Sequence, residues 1–189
     1  ENPSSYGTYR KRVKRASIQS IRPFGEIQMI NTDKLILDAC CGGKHFWFDK
    51  NNPLTLFMDK RKVEPGAIPQ QPNWECNPDI IGDYRNTDFK DNQFKLIVWD
   101  IPHKLKPDKG LITMKYGSLG ETWKEDTTQG FNELWRILDN HGVLVFKYAD
   151  LDISVKEMLS LFPIDPLFGT KTKKGVNNTY WFCFMKVVE

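Results

Sequence analysis

The sequence predicts an α/β domain with a mostly parallel sheet, and three observations support this class. Apolar runs of strand length alternate along the chain with helical patterns, as in proteins with parallel sheets. The first run, residues 34–39, is typical of a strand buried on both faces. The 189 residues are 40% hydrophobic and 13% aromatic, which is enough for one core without disulfide bonds.

Further strands are predicted wherever a short apolar run ends at polar or turn-forming residues. They cover residues 54–58, 79–82, 94–99 and 143–147. A helix over residues 44–50 is expected between the first two strands, because Asn51-Asn52-Pro53 supplies a stop signal. Residues 62–78 carry four prolines and are predicted to form a loop. A second long loop is predicted over residues 103–119, and loops of that length are usually functional.

The longest helix is predicted over residues 121–138, because one face repeats with helical spacing. The residues of that face are Trp123, Thr127, Phe131, Leu134 and Leu138. Ser154 and Glu157 have the spacing of a capping box and predict a second, shorter helix. The closing strands, 166–169 and 180–188, are joined by a loop too short for a helix, so we expect them to pair antiparallel.

Positive charge is concentrated in two segments, although the net charge is only +3. Residues 1–23 form a basic arm, and residues 24–189 are predicted to form a single domain. A second basic run contains Lys171, Lys173 and Lys174. Such segments can contact phosphate backbones, and they can equally be solvated surface.

The four cysteines are not spaced as metal ligands. No CxxC pair is present, so the sequence predicts neither a zinc site nor a disulfide framework, and no other metal site. Free thiols favour a reducing intracellular compartment, with the cytoplasm as first choice. The apolar runs are too short to span a membrane. Because the sequence starts at Glu1, the true N-terminus and any targeting signal stay open.

The most informative segment is the turn after the first strand, Asp38 to Gly43. Small residues there let the backbone approach a ligand closely, and glycine adopts the positive φ that such turns need. A phosphate-binding P-loop requires GxxxxGK[ST], and a dinucleotide site requires GxGxxG. The sequence Asp38-Ala39-Cys40-Cys41-Gly42-Gly43-Lys44-His45 matches neither pattern.

The turn resembles motif I of the class I S-adenosylmethionine-dependent methyltransferases, an acidic residue followed by GxG. Cys40 stands where the family has its first glycine. The resemblance implies a Rossmann-like fold, with a mostly parallel seven-stranded sheet, helices on both faces and an antiparallel last strand. It implies S-adenosylmethionine as the cofactor, bound in the turn by Asp38, Ala39, Cys40 and Gly42.

Two later strand ends continue the resemblance. Asp59 ends the second strand, where the family places a carboxylate on the ribose hydroxyls. Asp83 and Tyr84 follow the third strand, where the family places contacts to the adenine. Each carboxylate alone could serve as a helix cap or a turn residue. Three of them at successive strand ends favour the cofactor site.

Asp100-Ile101-Pro102-His103 follows the fourth strand and resembles the [D/N/S]-P-P-[aromatic] motif of methyltransferases that act on amino nitrogens. The resemblance implies that Asp100 and a backbone carbonyl accept the two N–H bonds of the nitrogen. Pro102 would fix the turn, Ile101 stands in place of the first proline, and His103 would stack on the base. The residue before a proline is itself restricted to extended conformations. Asp and Pro are also ordinary residues of a strand-ending turn.

The predicted function is methylation of an amino nitrogen, with a nucleic-acid base as the first choice of acceptor and adenine N6 as the first choice of atom. A base in a duplex must be flipped out of the stack. Tyr116 in the long loop is a candidate substrate contact, as are the three lysines of the basic run, Lys171, Lys173 and Lys174. RNA and DNA are both open, and a partner subunit could supply target recognition. The alternatives are a protein or small-molecule methyltransferase, and a non-catalytic cofactor-binding subunit of a larger complex.

Overall fold

The computed structural model describes residues 30, 32–170 and 179–187, and its centre is one seven-stranded sheet. The strands are β1 (Ile36–Asp38), β2 (Thr55–Asp59), β3 (Ile80–Ile81), β4 (Phe94–Asp100), β5 (Leu138–Ala149), β6 (Phe168–Gly169) and β7 (Thr179–Met185). The helices are α1 (Leu111–Tyr116), α2 (Trp123–Ile137) and α3 (Val155–Leu159).

The strand order is β3-β2-β1-β4-β5-β7-β6, in which β7 runs antiparallel to both β5 and β6 and the other pairs are parallel. This confirms the predicted Rossmann-like α/β fold with its antiparallel end. The chain passes outward from β1 to β3 and then returns to place β4 on the other side of β1. Ligands of open α/β sheets bind outside the carboxyl ends of the strands at such a reversal.

One face of the sheet carries the aromatic core. Trp99 of β4 pairs in register with Phe146 of β5, so both side chains lie on that face. Helix α2 covers them: its Phe131 is fully buried and stacks on Phe162 at a centroid distance of 4.5 Å. The ring centroids of Trp99 and Phe146 are 5.0 Å apart. The contact fixes β4, β5 and α2 relative to one another.

The opposite face is covered differently from the prediction. Residues 44–50 form a series of turns, so the helix predicted there is wrong. Lys44 has a φ of 54°, which an α-helix does not accommodate, and Trp47 donates its indole N–H to Asp38. A seven-residue helix gains little stability from its own hydrogen bonds. These long-range contacts decide the backbone instead.

Among the remaining elements, one predicted helix cap is confirmed and two predicted segments differ from the structure. Ser154 accepts a hydrogen bond from the backbone N–H of Glu157 at 3.2 Å, which confirms the predicted helix cap. Strand β5 begins directly after α2 and is longer than predicted. The predicted loop 103–119 contains helix α1. The basic arm 1–23, the basic run at 171–174 and residue 188 of the last predicted strand lie outside the described residues.

Helix α2 is the longest helix of the described ranges, with 15 residues. Its buried face includes Phe131, Leu134 and Ile137, and its other face carries charged residues. None of the helices in the described part of the chain is both long and apolar enough to cross a membrane.

Gly130 of α2 provides a test of this packing. A Cβ there would lie 2.5 Å from the ring of Tyr84 and 3.1 Å from Trp99. We expect Gly130→Ala to lower the free energy of unfolding by about 1–2 kcal/mol, because the overpacking outweighs the better helix propensity of alanine. Urea denaturation measures the change. The exposed control Asn132→Ala should shift stability by less than about 0.5 kcal/mol.

Because the clash is specific, the cost of Gly130→Ala should shrink in a Tyr84→Ala background. An unchanged or increased stability of the single Gly130→Ala variant would contradict the packing described.

Candidate active site

Asp38 organises the turn at the end of β1. Its carboxylate accepts the backbone N–H of Cys40 at 3.3 Å and the indole N–H of Trp47 at 2.7 Å. The residue has no exposed surface. Burial and, to a smaller extent, the nearby charges of Asp100 and Asp59 raise the pKa of Asp38 to about 7, although these two hydrogen bonds act to lower it. Asp38 therefore positions the turn and does not reach its surface.

The turn spans the carboxyl ends of three neighbouring strands. The Ala39 N–H donates to the carbonyl of Val98 in β4, and the Cys41 N–H donates to Met58 in β2, both at 2.9 Å. The Gly42 N–H donates to the Asp59 carboxylate at 2.9 Å. Gly42 has a φ of 46°, a left-handed conformation that favours glycine.

Four predicted cofactor residues are brought together by this geometry. Cys40, Gly42 and Asp59 are partly exposed and face the strand ends, whereas Ala39 is buried beneath them. Asp59 also accepts the Arg61 N–H at 3.0 Å, so backbone groups orient both of its oxygens. The arrangement leaves a small-residue surface with a fixed carboxylate beside it.

Asp83 and Tyr84 are engaged elsewhere in the fold. Arg85 binds Asp83 through two nitrogens, at 2.9 and 2.6 Å, and its hydrogen bonds hold the pKa of that carboxyl at about 2. Arg85 also forms a salt bridge with Asp126 of α2, with a nitrogen–oxygen distance of 2.8 Å. Tyr84 packs edge-to-face on Trp99 at 5.4 Å. In this structure both residues connect the end of β3 to α2.

Asp100, at the end of β4, holds an ion pair that the sequence did not reveal. Lys147 of β5, its partner in register, donates to Oδ2 at 2.6 Å. The other oxygen, Oδ1, is buried and has no hydrogen-bond partner among the described residues. Burial raises the pKa of Asp100, and the Lys147 ammonium opposes that shift. One carboxylate oxygen is thus fixed and the other is a free acceptor.

His103 lies beside this free oxygen, with Nε2 3.4 Å from Oδ1. Burial and the charge of Lys147 lower the pKa of His103 to about 4, so the ring is neutral at pH 7. Its Nδ1 accepts the Ala149 N–H at 3.4 Å, which assigns the ring proton to Nε2. The ring packs edge-to-face on Tyr148 at 5.6 Å. It is therefore fixed within the site, with little free face for stacking.

Ile101 and Pro102 fix the backbone of the tetrapeptide. Ile101 is 1% exposed and belongs to the core, which anchors the backbone after Asp100. Pro102 is partly exposed between Ile101 and His103. A buried apolar side chain followed by proline fixes this turn, although the first proline of the motif is missing.

Tyr116 contacts the turn at Gly42. A Cβ built on Gly42 would lie 3.5 Å from the Tyr116 ring, which also meets Trp74 edge-to-face at 6.0 Å. Arg61 donates to the carbonyl of Lys115 at 2.6 Å and holds α1 in this position. Tyr116 is thus placed over the candidate cofactor turn. Lys171, Lys173 and Lys174 lie outside the described residues.

A trio of potential metal ligands lies beneath the turn, although the cysteine spacing predicts none. The ligand atoms of Cys41, Asp59 and Cys76 lie within 4.8 Å of one another. The Cys76 thiol donates to the Arg61 carbonyl at 3.3 Å, and its hydrogen bond with Cys41, together with burial, raises the pKa of the Cys41 thiol. Protein hydrogen bonds therefore satisfy these groups.

The comparisons with known proteins are distant. No family model matches the chain, and the search of curated proteins gave no match. Its structure is similar to that of the PH0226 protein from Pyrococcus horikoshii, with a TM-score of 0.52, 15% identity, and coverage of 80% of this chain and 81% of that chain. At this identity the likeness shows a shared fold.

Two structures with TM-scores below 0.5 are S-adenosylmethionine-dependent methyltransferases. One is from Methanosarcina mazei, with a TM-score of 0.46, 14% identity, and coverage of 85% of this chain and 95% of that chain. The other is from Leishmania major, with a TM-score of 0.47, 13% identity, and coverage of 80% of this chain and 63% of that chain. Both likenesses are too distant to assign chemistry to this chain.

The raised pKa of Asp38 makes stability depend on pH. Between about pH 4 and 7 the folded state keeps a proton on Asp38 that the unfolded chain has lost, so this residue lowers stability as pH rises. The amide that replaces the carboxyl group in Asp38→Asn cannot titrate. The stability of this variant relative to wild type should therefore increase through this window, by up to about 1.4 kcal/mol per pH unit.

Urea unfolding at several pH values measures this difference. The titration of His103 contributes equally in both proteins, so it does not affect the difference between their stabilities. The matched control is Asp83→Asn, whose carboxyl titrates below this window in the folded state because Arg85 holds its pKa at about 2. Its curve should run parallel to wild type above about pH 5, where Asp83 is ionised in both the folded and the unfolded state. A parallel curve for Asp38→Asn would contradict the assigned burial.

Proposed function

We propose that this chain is an S-adenosylmethionine-dependent methyltransferase that methylates an amino nitrogen of a nucleic-acid base, with adenine N6 as the first candidate. The observation that carries the proposal is the free Oδ1 of Asp100 at the end of β4. A buried carboxylate oxygen without a partner is costly, and an amino N–H of a substrate satisfies it.

The residues at the neighbouring strand ends fit the cofactor. The turn at Cys40 and Gly42 offers backbone without bulky side chains, and Asp59 offers a carboxylate that can accept hydroxyl protons. Asp38, Asp59 and Asp100 lie close enough for the charges of the last two to raise the pKa of Asp38. A cationic ligand relieves this repulsion, and S-adenosylmethionine supplies a methyl group on a positively charged sulfonium.

Asp100 orients the acceptor nitrogen. Its Oδ1 accepts one N–H, while the Ile101 carbonyl, held by Pro102, accepts the other. This draws the nitrogen out of the plane of the base and directs its lone pair toward the methyl group. Lys147 donates to the other carboxylate oxygen, Oδ2, at 2.6 Å, and this bond keeps Oδ1 in place. Alignment of this kind supplies much of the rate acceleration when the leaving group needs no proton.

His103 serves as a positioning residue in this scheme. Its proton lies on Nε2, which is 3.4 Å from Oδ1 but forms no hydrogen bond with it. The neutral ring therefore borders the acceptor oxygen without occupying it, and does not act as the base. The proton released by the methylated nitrogen passes to Asp100, whose pKa burial raises.

Nucleic acid is the acceptor class that the surrounding charge favours. Lys106 and Lys109 are exposed in the segment that follows the tetrapeptide, and the sequence adds the basic run at 171–174. Phosphate backbones bind such lysines. The base enters as part of a single strand or after flipping from a duplex.

The test of the mechanism is Asp100→Ala. We expect methyl transfer to fall by about 100-fold or more, because the nitrogen loses its acceptor, while the Kd for S-adenosylmethionine changes by less than about threefold. Transfer of a labelled methyl group and isothermal titration measure the two quantities. Asp88→Ala is the control, since this exposed residue lies on the segment before β4, away from the carboxyl end.

Asp100→Asn should recover part of the lost rate because its amide oxygen can still accept an N–H. Full activity in Asp100→Ala would remove the mechanism. Loss of cofactor binding in the same variant would assign Asp100 to the cofactor instead.

A further inference from the structure

A row of three side chains extends the candidate site across the sheet. Asp100 of β4 pairs in register with Lys147 of β5, which pairs with Trp181 of β7. Residues opposite one another in a sheet project to the same face. Asp100, Lys147 and Trp181 therefore lie side by side at the carboxyl end of β4 and β5, on the face opposite α2.

The turns at 44–50 place aromatic residues next to this row. Phe46 meets Trp181 edge-to-face at a centroid distance of 5.5 Å, and the Lys147 ammonium lies 5.8 Å from the centroid of each ring. Lys147 also donates a hydrogen bond to Asp100, so this one side chain lies between the rings and the candidate catalytic carboxylate.

These rings line an open groove with a volume of about 520 Å³. Its walls are Phe46, Trp47, Phe48, Asp49, Asn52, Val98 and Trp181. Phe48 is fully exposed and Trp181 is 37% exposed, so much aromatic surface faces solvent. The volume falls within the range of small-molecule sites, which combine apolar walls with a few polar groups.

We propose that this aromatic groove binds the planar base that carries the acceptor nitrogen, with Phe48 and Trp181 as stacking surfaces. The proposal rests on the proposed function and deepens it, because it names the residues that select the acceptor. Aromatic side chains stack on every base, so the groove holds an unpaired base without reading its sequence. Asp49 and Asn52 add polar groups at its rim.

A nucleobase is the occupant that the neighbouring chemistry favours. The Lys147 ammonium lies 5.8 Å from the centroids of Phe46 and Trp181 and bonds Asp100, so a planar ligand on these rings has charged groups at its edge. A base presents acceptors and N–H donors there, whereas an aliphatic ligand presents none. Lys147, which bonds Asp100, lies next to the groove walls Phe46 and Trp181, so the exocyclic amino group of a base held there can be directed toward Oδ1.

The experiment uses a 12-nucleotide single-stranded DNA in which one adenine is replaced by 2-aminopurine, whose fluorescence falls when it stacks. We expect the protein to quench the probe. Phe48→Ala and Trp181→Ala should each weaken probe binding by about tenfold, and the double variant should lose the quenching. Trp181→Phe should recover most of the affinity because it keeps a ring.

Leu54→Ala is the matched control, since Leu54 is a half-exposed apolar residue just before β2, at the other end of the strands from Asp100. It should bind the probe like wild type. Both groove variants should bind S-adenosylmethionine with a Kd within about twofold of wild type. With a methylatable strand, their KM for the acceptor should rise more than kcat falls.

Normal probe binding and quenching by the double variant would overturn the groove assignment. A wild-type protein that binds S-adenosylmethionine and methylates a peptide, yet ignores the probe, would overturn the nucleobase as occupant. Quenching that depends on Phe48 and Trp181, in a protein that binds no S-adenosylmethionine, would support the groove and reject the proposed cofactor chemistry.

Discussion

The buried carboxylate of Asp38 is the constraint on which the candidate site depends. It ends β1 and accepts the Cys40 N–H and the Trp47 indole N–H, so one side chain fixes both the turn at Asp38 to Gly43 and the turns at 44–50. The first contact shapes the small-residue surface next to Asp59. The second places Phe46 and Phe48 beside β4 and β7. A carboxylate that is buried for this purpose has a raised pKa, and that is the physical cost of the arrangement.

Charge at the strand ends explains why this edge suits a cationic ligand. The charges of Asp59 and Asp100 disfavour ionisation of Asp38, while Lys147 compensates for the charge of Asp100 directly. Lys147 leaves one oxygen of Asp100 unpartnered among the described residues, so the pair remains open to a hydrogen-bond donor. The positive charge of the proposed cofactor would offset the negative charge of the carboxylates. The N–H of the proposed acceptor would bond the unpartnered oxygen of Asp100. Both assignments follow from the same unbalanced edge.

The strands and their acidic ends could be predicted from the sequence because apolar runs and the residues that end them are local features. The parallel sheet and its antiparallel end followed from the alternation of strands with helices and from the short last loop, and the Rossmann-like fold followed from the resemblance of the turn at Asp38 to Gly43. The turns at 44–50 could not be predicted, because the bond from Trp47 to Asp38 joins residues nine positions apart and overrides a weak helical pattern. Helix α1 was likewise missed within a lysine-rich segment.

The partners of the site residues could be predicted only where the two residues of a pair are close in the sequence. The pair between Asp83 and Arg85 is local, and a basic residue two positions away was visible in the sequence. Lys147 reaches Asp100 through the register of β4 and β5. Its one signal was a charged residue inside a buried apolar strand. Trp181 depends on a further strand pairing, and no local pattern identifies it.

The most direct measurement is mass spectrometry of nucleosides after the protein is incubated with methyl-deuterated S-adenosylmethionine and a mixture of RNA and DNA. The account predicts a deuterated methyl group on an amino nitrogen of a base, with N6-methyladenine first. Label that appears only on protein or on a small molecule would contradict the assigned acceptor. No transfer of label to any acceptor would contradict the catalytic role itself.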